Sequence, residues 1–120
     1  MQNMALQTAN QSSTFMVFLV HGLADADDAA AKLNARMIAV DRPGYGLSDA
    51  KRGRTILDWS DDVVELADAL AVERFAVLGI SGGGPYASAC AFKIPERLTT
   101  TGVVCGMGPI EAPGCKEGAA

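Results

Sequence analysis

The sequence predicts an α/β fold: a partial, doubly wound parallel sheet of about four strands with helices on both faces. Three observations lead there. Apolar residues recur in continuous runs rather than in alternation, as strands buried on both faces read. Helical patterns separate the runs, and each run stops at a glycine- or proline-containing stretch suited to a loop. A chain of 120 residues, 49% hydrophobic and 20% charged, fits one domain with one core.

Polar residues dominate up to Thr14, so residues 1–14 are expected to be a flexible N-terminal segment, 15–113 the domain and 114–120 a loose tail. The first strand is "FMVFLV", Phe15 to Val20, ending at His21-Gly22. "DADDAAAKLNA" follows as a helix, with Asp25, Asp27 and Asp28 capping and charging its start rather than holding a metal. "MIAV", Met37 to Val40, is the second strand, and "DRPGYGLSD" its loop.

In "LDWSDDVVELADALAV", Trp59, Val63, Leu66 and Leu70 recur at helical spacing, with Asp61, Asp62, Glu65 and Asp68 at the other positions. That is an amphipathic helix with Trp59 in its core face. "RFAVLGI", Arg74 to Ile80, is the third strand; "GGGPYASACAFKI" is a second helix with an early proline, closed by Pro95. "TTGVVCGM", Thr100 to Met107, is the fourth strand.

Composition excludes several partners. The net charge is −4, and basic residues are scattered apart from "KRGR", Lys51 to Arg54, which reads as a solvated loop; no nucleic acid is expected. Cys90, Cys105 and Cys115 have no metal or redox spacing and read as reduced thiols of a cytoplasmic chain. No secretory signal, membrane-spanning run or metal site is expected.

In parallel sheets of this kind, chemistry gathers at the carboxyl ends of the strands. There Gly79-Ile80-Ser81-Gly82-Gly83 matches G-x-S-x-G between a strand and a helix. A sharp strand-to-helix turn would hold Ser81 in strained backbone geometry, with Gly79 and Gly83 giving it room and its hydroxyl raised above the sheet as a nucleophile. The Gly82 N–H, at the helix start, would receive negative charge developing on a substrate oxygen; the Leu23 N–H would be the second donor of that oxyanion hole.

The stretches "FLVHG", "DRPGYGLSD", "DWSDDVVELADAL", "FAVLGISGGGPYA" and "IPERLTTTGVV", in this order over most of Phe15 to Pro113, resemble the N-terminal half of an α/β-hydrolase. The resemblance implies that the four strands are the family's third to sixth and stand in space as second, first, third, fourth. It also implies a serine hydrolase of ester, amide, thioester or carbon–carbon bonds, acting on a small acyl substrate without a cofactor. Relatives add a strand pair before "FLVHG", a triad acid and a C-terminal histidine, none of which is recognised here, so the chain alone is expected to be inactive. The segment between His21-Gly22 and "DRPGYG" is also shorter than in the family.

His21, the only histidine, matches the family's loop-shaping position with Gly22 and is read as structural rather than as the base. Asp41 and Arg42 are read as loop-shaping, and Glu111 as an exposed tail carboxylate. Two other readings stand beside hydrolysis. One is a non-catalytic domain that self-associates, or binds a partner, through exposed sheet edges. The other is nucleotide binding at Gly82 to Ala87, disfavoured because Cys105-Gly106-Met107 stand where a ribose-binding acid would follow the next strand.

Overall fold

The computed structural model describes residues 6–8, 15–20, 26–109 and 111–113. Among them, five strands form one sheet in the order β1-β3-β2-β4-β5. These are β1 (Leu6–Thr8), β2 (Phe15–Val20), β3 (Ala35–Val40), β4 (Phe75–Ile80) and β5 (Leu98–Val104). The last four are mutually parallel and stand in the spatial order that the family resemblance implies. Helices α1 (Ala26–Lys32), α2 (Asp58–Ala69) and α3 (Gly84–Lys93) connect them.

The direction of travel across the sheet reverses once. From β2 the chain steps outward to β3, then returns past β2 to β4 and continues to β5. Right-handed crossovers then put α1 on one face and α2 and α3 on the other, and α2 does pack against α3. The connections leaving β2 and β4 diverge, so a crevice opens above the carboxyl ends of these neighbours. Ser81 follows β4 directly at that point.

One core cluster fixes this arrangement. Ile38 and Val40 on β3 and Phe75 and Val77 on β4 alternate inward, and meet Trp59, Val63, Leu66 and Ala67 of α2 and Ala87 and Cys90 of α3. Ser60 donates to the Cys90 sulfur at 3.7 Å between the two helices; burial pushes the Cys90 thiol up, against the smaller opposing effect of that bond. The start of α2 is closed reciprocally: the Thr55 N–H donates to the Asp58 carboxylate at 2.7 Å, and the Asp58 N–H donates to the Thr55 hydroxyl at 3.3 Å. The bond from the Thr55 backbone is the main reason the Asp58 carboxyl lies below its ordinary range.

A register shift between Phe75 and Ala76 pairs Leu98 with Phe75 and Thr100 with Ala76, leaving Thr99 over. The extra residue puts Leu98 and Val103 on the same, α3-covered face, although their odd separation would otherwise divide them. Leu98 joins the core and Val103 reaches the start of α3.

Five features differ from the sequence reading. Residues 6–8, placed in a flexible segment, form a strand antiparallel to β3, at one edge of the sheet and ahead of "FLVHG". Three residues are too short to give a periodic signal, and an edge strand needs no continuous apolar run. β3 begins at Ala35, two residues before the expected start, and β5 spans Leu98–Val104 rather than Thr100 to Met107. Asp62 is buried rather than solvated, because Lys51 reaches across to it at 3.1 Å. "KRGR" is accordingly a partly buried strap: Lys51 and Arg54 turn inward, and Arg52 and Gly53 are exposed. No described helix is long and apolar enough to cross a membrane.

Candidate active site

The turn after β4 is built on one unusual residue. Ile80 is still extended, at φ −114° and ψ 136°, and Ser81 then adopts φ +51° before the chain enters a 3₁₀ turn (Ser81–Gly83) and α3. A left-handed backbone costs a side-chain-bearing residue about 1–2 kcal/mol, so it persists only where its surroundings impose it. Two sets of contacts do so.

The first is close packing beneath the serine. A Cβ on Gly79 would collide with the Gly83 carbonyl and lie 2.7 Å from the Ala87 Cβ, so α3 lies directly over the end of β4 only because residue 79 has no side chain. The second is a clamp on the serine backbone. The Ser81 carbonyl accepts the Gly84 N–H and also the Met107 N–H, the latter at 3.2 Å, which ties the turn to the segment following β5. A Cβ on Gly84 would come within 2.7 Å of the Gly106 Cα, so that segment lies directly on the start of α3. With its backbone held, the Ser81 side chain is left exposed.

Gly82 and Gly83 occupy the first turn after Ser81, where N–H groups have no intrahelical acceptor. Gly83 is buried, whereas a Cβ on Gly82 would meet nothing within 4 Å. His21, Gly22 and Leu23, expected to shape the opposite wall and to give the second oxyanion donor, lie outside the described residues, as does Asp25. Glu111 is exposed, and Trp59 is buried in the core.

The loop after β3 is a tight unit. The Asp41 carboxylate occupies the space above Gly46, whose φ of +53° suits glycine, and the Ser48 hydroxyl donates to the Asp41 carbonyl at 2.8 Å. Arg42 leaves this loop to stack over Tyr45 and over Tyr86 of α3, with its guanidinium carbon 4.5 and 4.7 Å from the two ring centres. Arg54 donates to the Tyr86 hydroxyl at 3.0 Å. Burial alone would raise the Tyr86 hydroxyl, but the bonds and charges of Arg54 and then Arg42 outweigh it and hold the phenol below its ordinary value. This cluster escaped the sequence reading because its members are 32 and 44 positions apart; a tyrosine five residues after a motif serine was the one local signal.

A family model described as "Alpha/beta hydrolase family" matches residues 17–118, a range that includes the four parallel strands and the turn at Ser81. The chain belongs to the alpha/beta hydrolase family. Among curated members it is similar to 3-oxoadipate enol-lactonase 1 of Acinetobacter baylyi, 36% identical over 64 residues that make up 53% of this chain and 24% of that protein. It is similar also to 2-hydroxymuconate semialdehyde hydrolase of a Pseudomonas species, 40% identical over 67 residues covering 52% of this chain and 23% of the relative. Matches therefore span about a quarter of the length of these alpha/beta hydrolases. A solved alpha/beta hydrolase fold, an esterase from Thermogutta terrifontis with malate bound, superposes with a TM-score of 0.75 at 26% identity, over 95% of this chain and 44% of the esterase.

The packing under Ser81 has a measurable consequence. Gly79→Ala is expected to lose at least about 1–3 kcal/mol of folding stability through overpacking, whereas Gly82→Ala, facing open space, should change it by less than about 0.5 kcal/mol. Denaturant unfolding followed by circular dichroism separates the two, and equal costs would contradict the packing described.

Proposed function

We propose that this chain carries the nucleophile half of a serine hydrolase acting on ester, lactone or related acyl bonds. The observation that carries the reading is the left-handed backbone of Ser81, a non-glycine residue held exposed at the switch point of the sheet. Strain of this kind is retained where it presents a reacting group. Supporting it are the family membership and the hydrolase names of the relatives.

In this mechanism the Ser81 Oγ attacks the substrate carbonyl carbon and its proton passes to a base. The Gly82 N–H and the Leu23 N–H receive the charge on the former carbonyl oxygen. The carbon–oxygen bond to the leaving alcohol then breaks as the base returns the proton to it, and water hydrolyses the acyl-serine. His21 is read as a turn-shaping residue rather than the base, and with no base or orienting acid assigned to Ser81 the 120-residue chain is proposed to be inactive on its own. Loss of a triad histidine costs about 10⁶-fold in turnover, which leaves no useful rate. The unbridged Cys90 and Cys105 favour a reducing compartment, the cytoplasm.

The test is prolonged treatment of the 120-residue chain with a fluorophosphonate, followed by peptide mass mapping. A slow adduct on Ser81, absent in Ser81→Ala and unchanged in His21→Ala, is expected. Rapid labelling abolished by His21→Ala would make that histidine the base, and no adduct on Ser81 would remove it as a nucleophile.

A second reading, self-association of the isolated chain, rests on β5. Among the described residues no strand pairs with its outer edge, and Val103, Val104 and Met107 are about half exposed there. Two copies would join these edges antiparallel about a twofold axis. Sedimentation of the chain is expected to show a dimer that Val104→Lys shifts to monomer; a wild-type monomer at high concentration would rule it out.

A further inference from the structure

Two guanidiniums converge on one phenol at the carboxyl end of β3, and the described residues leave both without a counter-ion. Arg42 and Arg54 lie 4.7 and 5.6 Å from the centre of the Tyr86 ring, on which Trp59 of α2 packs edge-on at 6.0 Å and 86°. The ring is thus set by the core and the cations come to it from two loops. Arg42, Arg54 and Tyr86 are all half-buried, accessible yet partly stripped of water.

Three of the acids nearby are engaged elsewhere: Asp62 pairs with Lys51, Asp61 pairs with Lys93, and the Asp58 carboxylate accepts the Thr55 N–H. The Asp41 carboxylate lies over Gly46, and Asp41 and Arg42 line one small cavity without an ion pair between them. The ion pairs among the described residues use Lys51, Lys93 and Arg97, and neither Arg42 nor Arg54. In a chain of net charge −4 with 14 acidic residues, two arginines that meet on one phenol and form no ion pair among the described residues concentrate positive charge that an anion would neutralise.

We propose that Arg42, Arg54 and Tyr86 form a binding site for the carboxylate group of a small molecule. Planar guanidiniums suit it: they pair with carboxylates through two parallel N–H bonds and are less strongly hydrated than ammonium groups. Stacking on Tyr45 and Tyr86 holds the Arg42 plane, and the bond to the Tyr86 hydroxyl holds Arg54, before a ligand arrives. Against burial, the hydrogen bond and charge of Arg54 and then of Arg42 also hold the Tyr86 phenol below its ordinary value. Tyr86 stands five residues after Ser81 at the start of the same helical segment, about 7 Å along its axis. The site therefore opens toward the same end of the sheet as the serine. Only the further step, that the carboxylate belongs to the hydrolase substrate, rests on the reading of Ser81 as nucleophile.

The experiment is a titration of the 120-residue chain with succinate at constant ionic strength, following arginine side-chain N–H resonances by NMR, with sodium chloride as the control. Saturable shifts of Arg42 and Arg54, with a midpoint in the millimolar range or below, are expected, while the exposed Arg52 stays put. Arg42→Gln or Arg54→Gln should weaken binding about tenfold and Arg52→Gln should not. No saturable shift at Arg42 and Arg54, or shifts equal to those of Arg52 and reproduced by sodium chloride, would overturn the site from the wild-type chain alone. Ser81→Ala should bind succinate as the wild type does, so failure of the serine chemistry and failure of the carboxylate site read out separately.

Discussion

Everything that gives this chain a chemical direction depends on the close approach of α3 to the end of β4. The approach is set by an absence, the missing side chain of Gly79, which lets the Gly83 carbonyl and Ala87 lie against the strand. With the helix that close, the chain has one residue in which to turn from extended to helical, and Ser81 takes the left-handed conformation that the turn demands. The core that α3 shares with α2 and the sheet opposes any retreat: Ala87 and Cys90 are buried in the cluster with Trp59 and Phe75, so relaxing the serine would open it. Strain at the site and packing in the core are therefore two ends of one lever.

A second tie comes from the segment after β5. Met107 holds the Ser81 carbonyl and Gly106 lies against Gly84, so β5 contributes to the site without offering a side chain to it. The bulge at Thr99 brings Val103 to the α3 face, where it touches the same helix start. Strand, bulge and loop together restrict the elbow from the side opposite β2.

Most of the architecture was legible in the residues, because buried parallel strands and an amphipathic α2 leave strong patterns. "FMVFLV", "RFAVLGI" and the Trp59-Val63-Leu66 spacing marked the strands and the core face, the family resemblance implied the strand order, and G-x-S-x-G placed the serine at a strand end. What escaped was of two kinds. β1 is three residues long and has no period to detect. The Asp62–Lys51 pair and the Arg42–Tyr86–Arg54 cluster depend on which loop folds over which helix, and charge patterning along one helix assigned Asp62 to solvent because it does not see the lysine that arrives from outside. Side chains that act across 11 to 44 positions are set by tertiary packing, not by local propensity.

The central claim is that Ser81 is held in a conformation that only glycine adopts freely, and a comparison of folding stability between Ser81→Gly and Ser81→Ala tests it most directly. Both remove the hydroxyl, so the difference reports the backbone alone. In ordinary helical or extended geometry alanine is the more stable of the two by about 0.5–1 kcal/mol, whereas at positive φ the order reverses. The account predicts that Ser81→Gly is the more stable by about 1 kcal/mol in denaturant unfolding; an equal or less stable Ser81→Gly would contradict it.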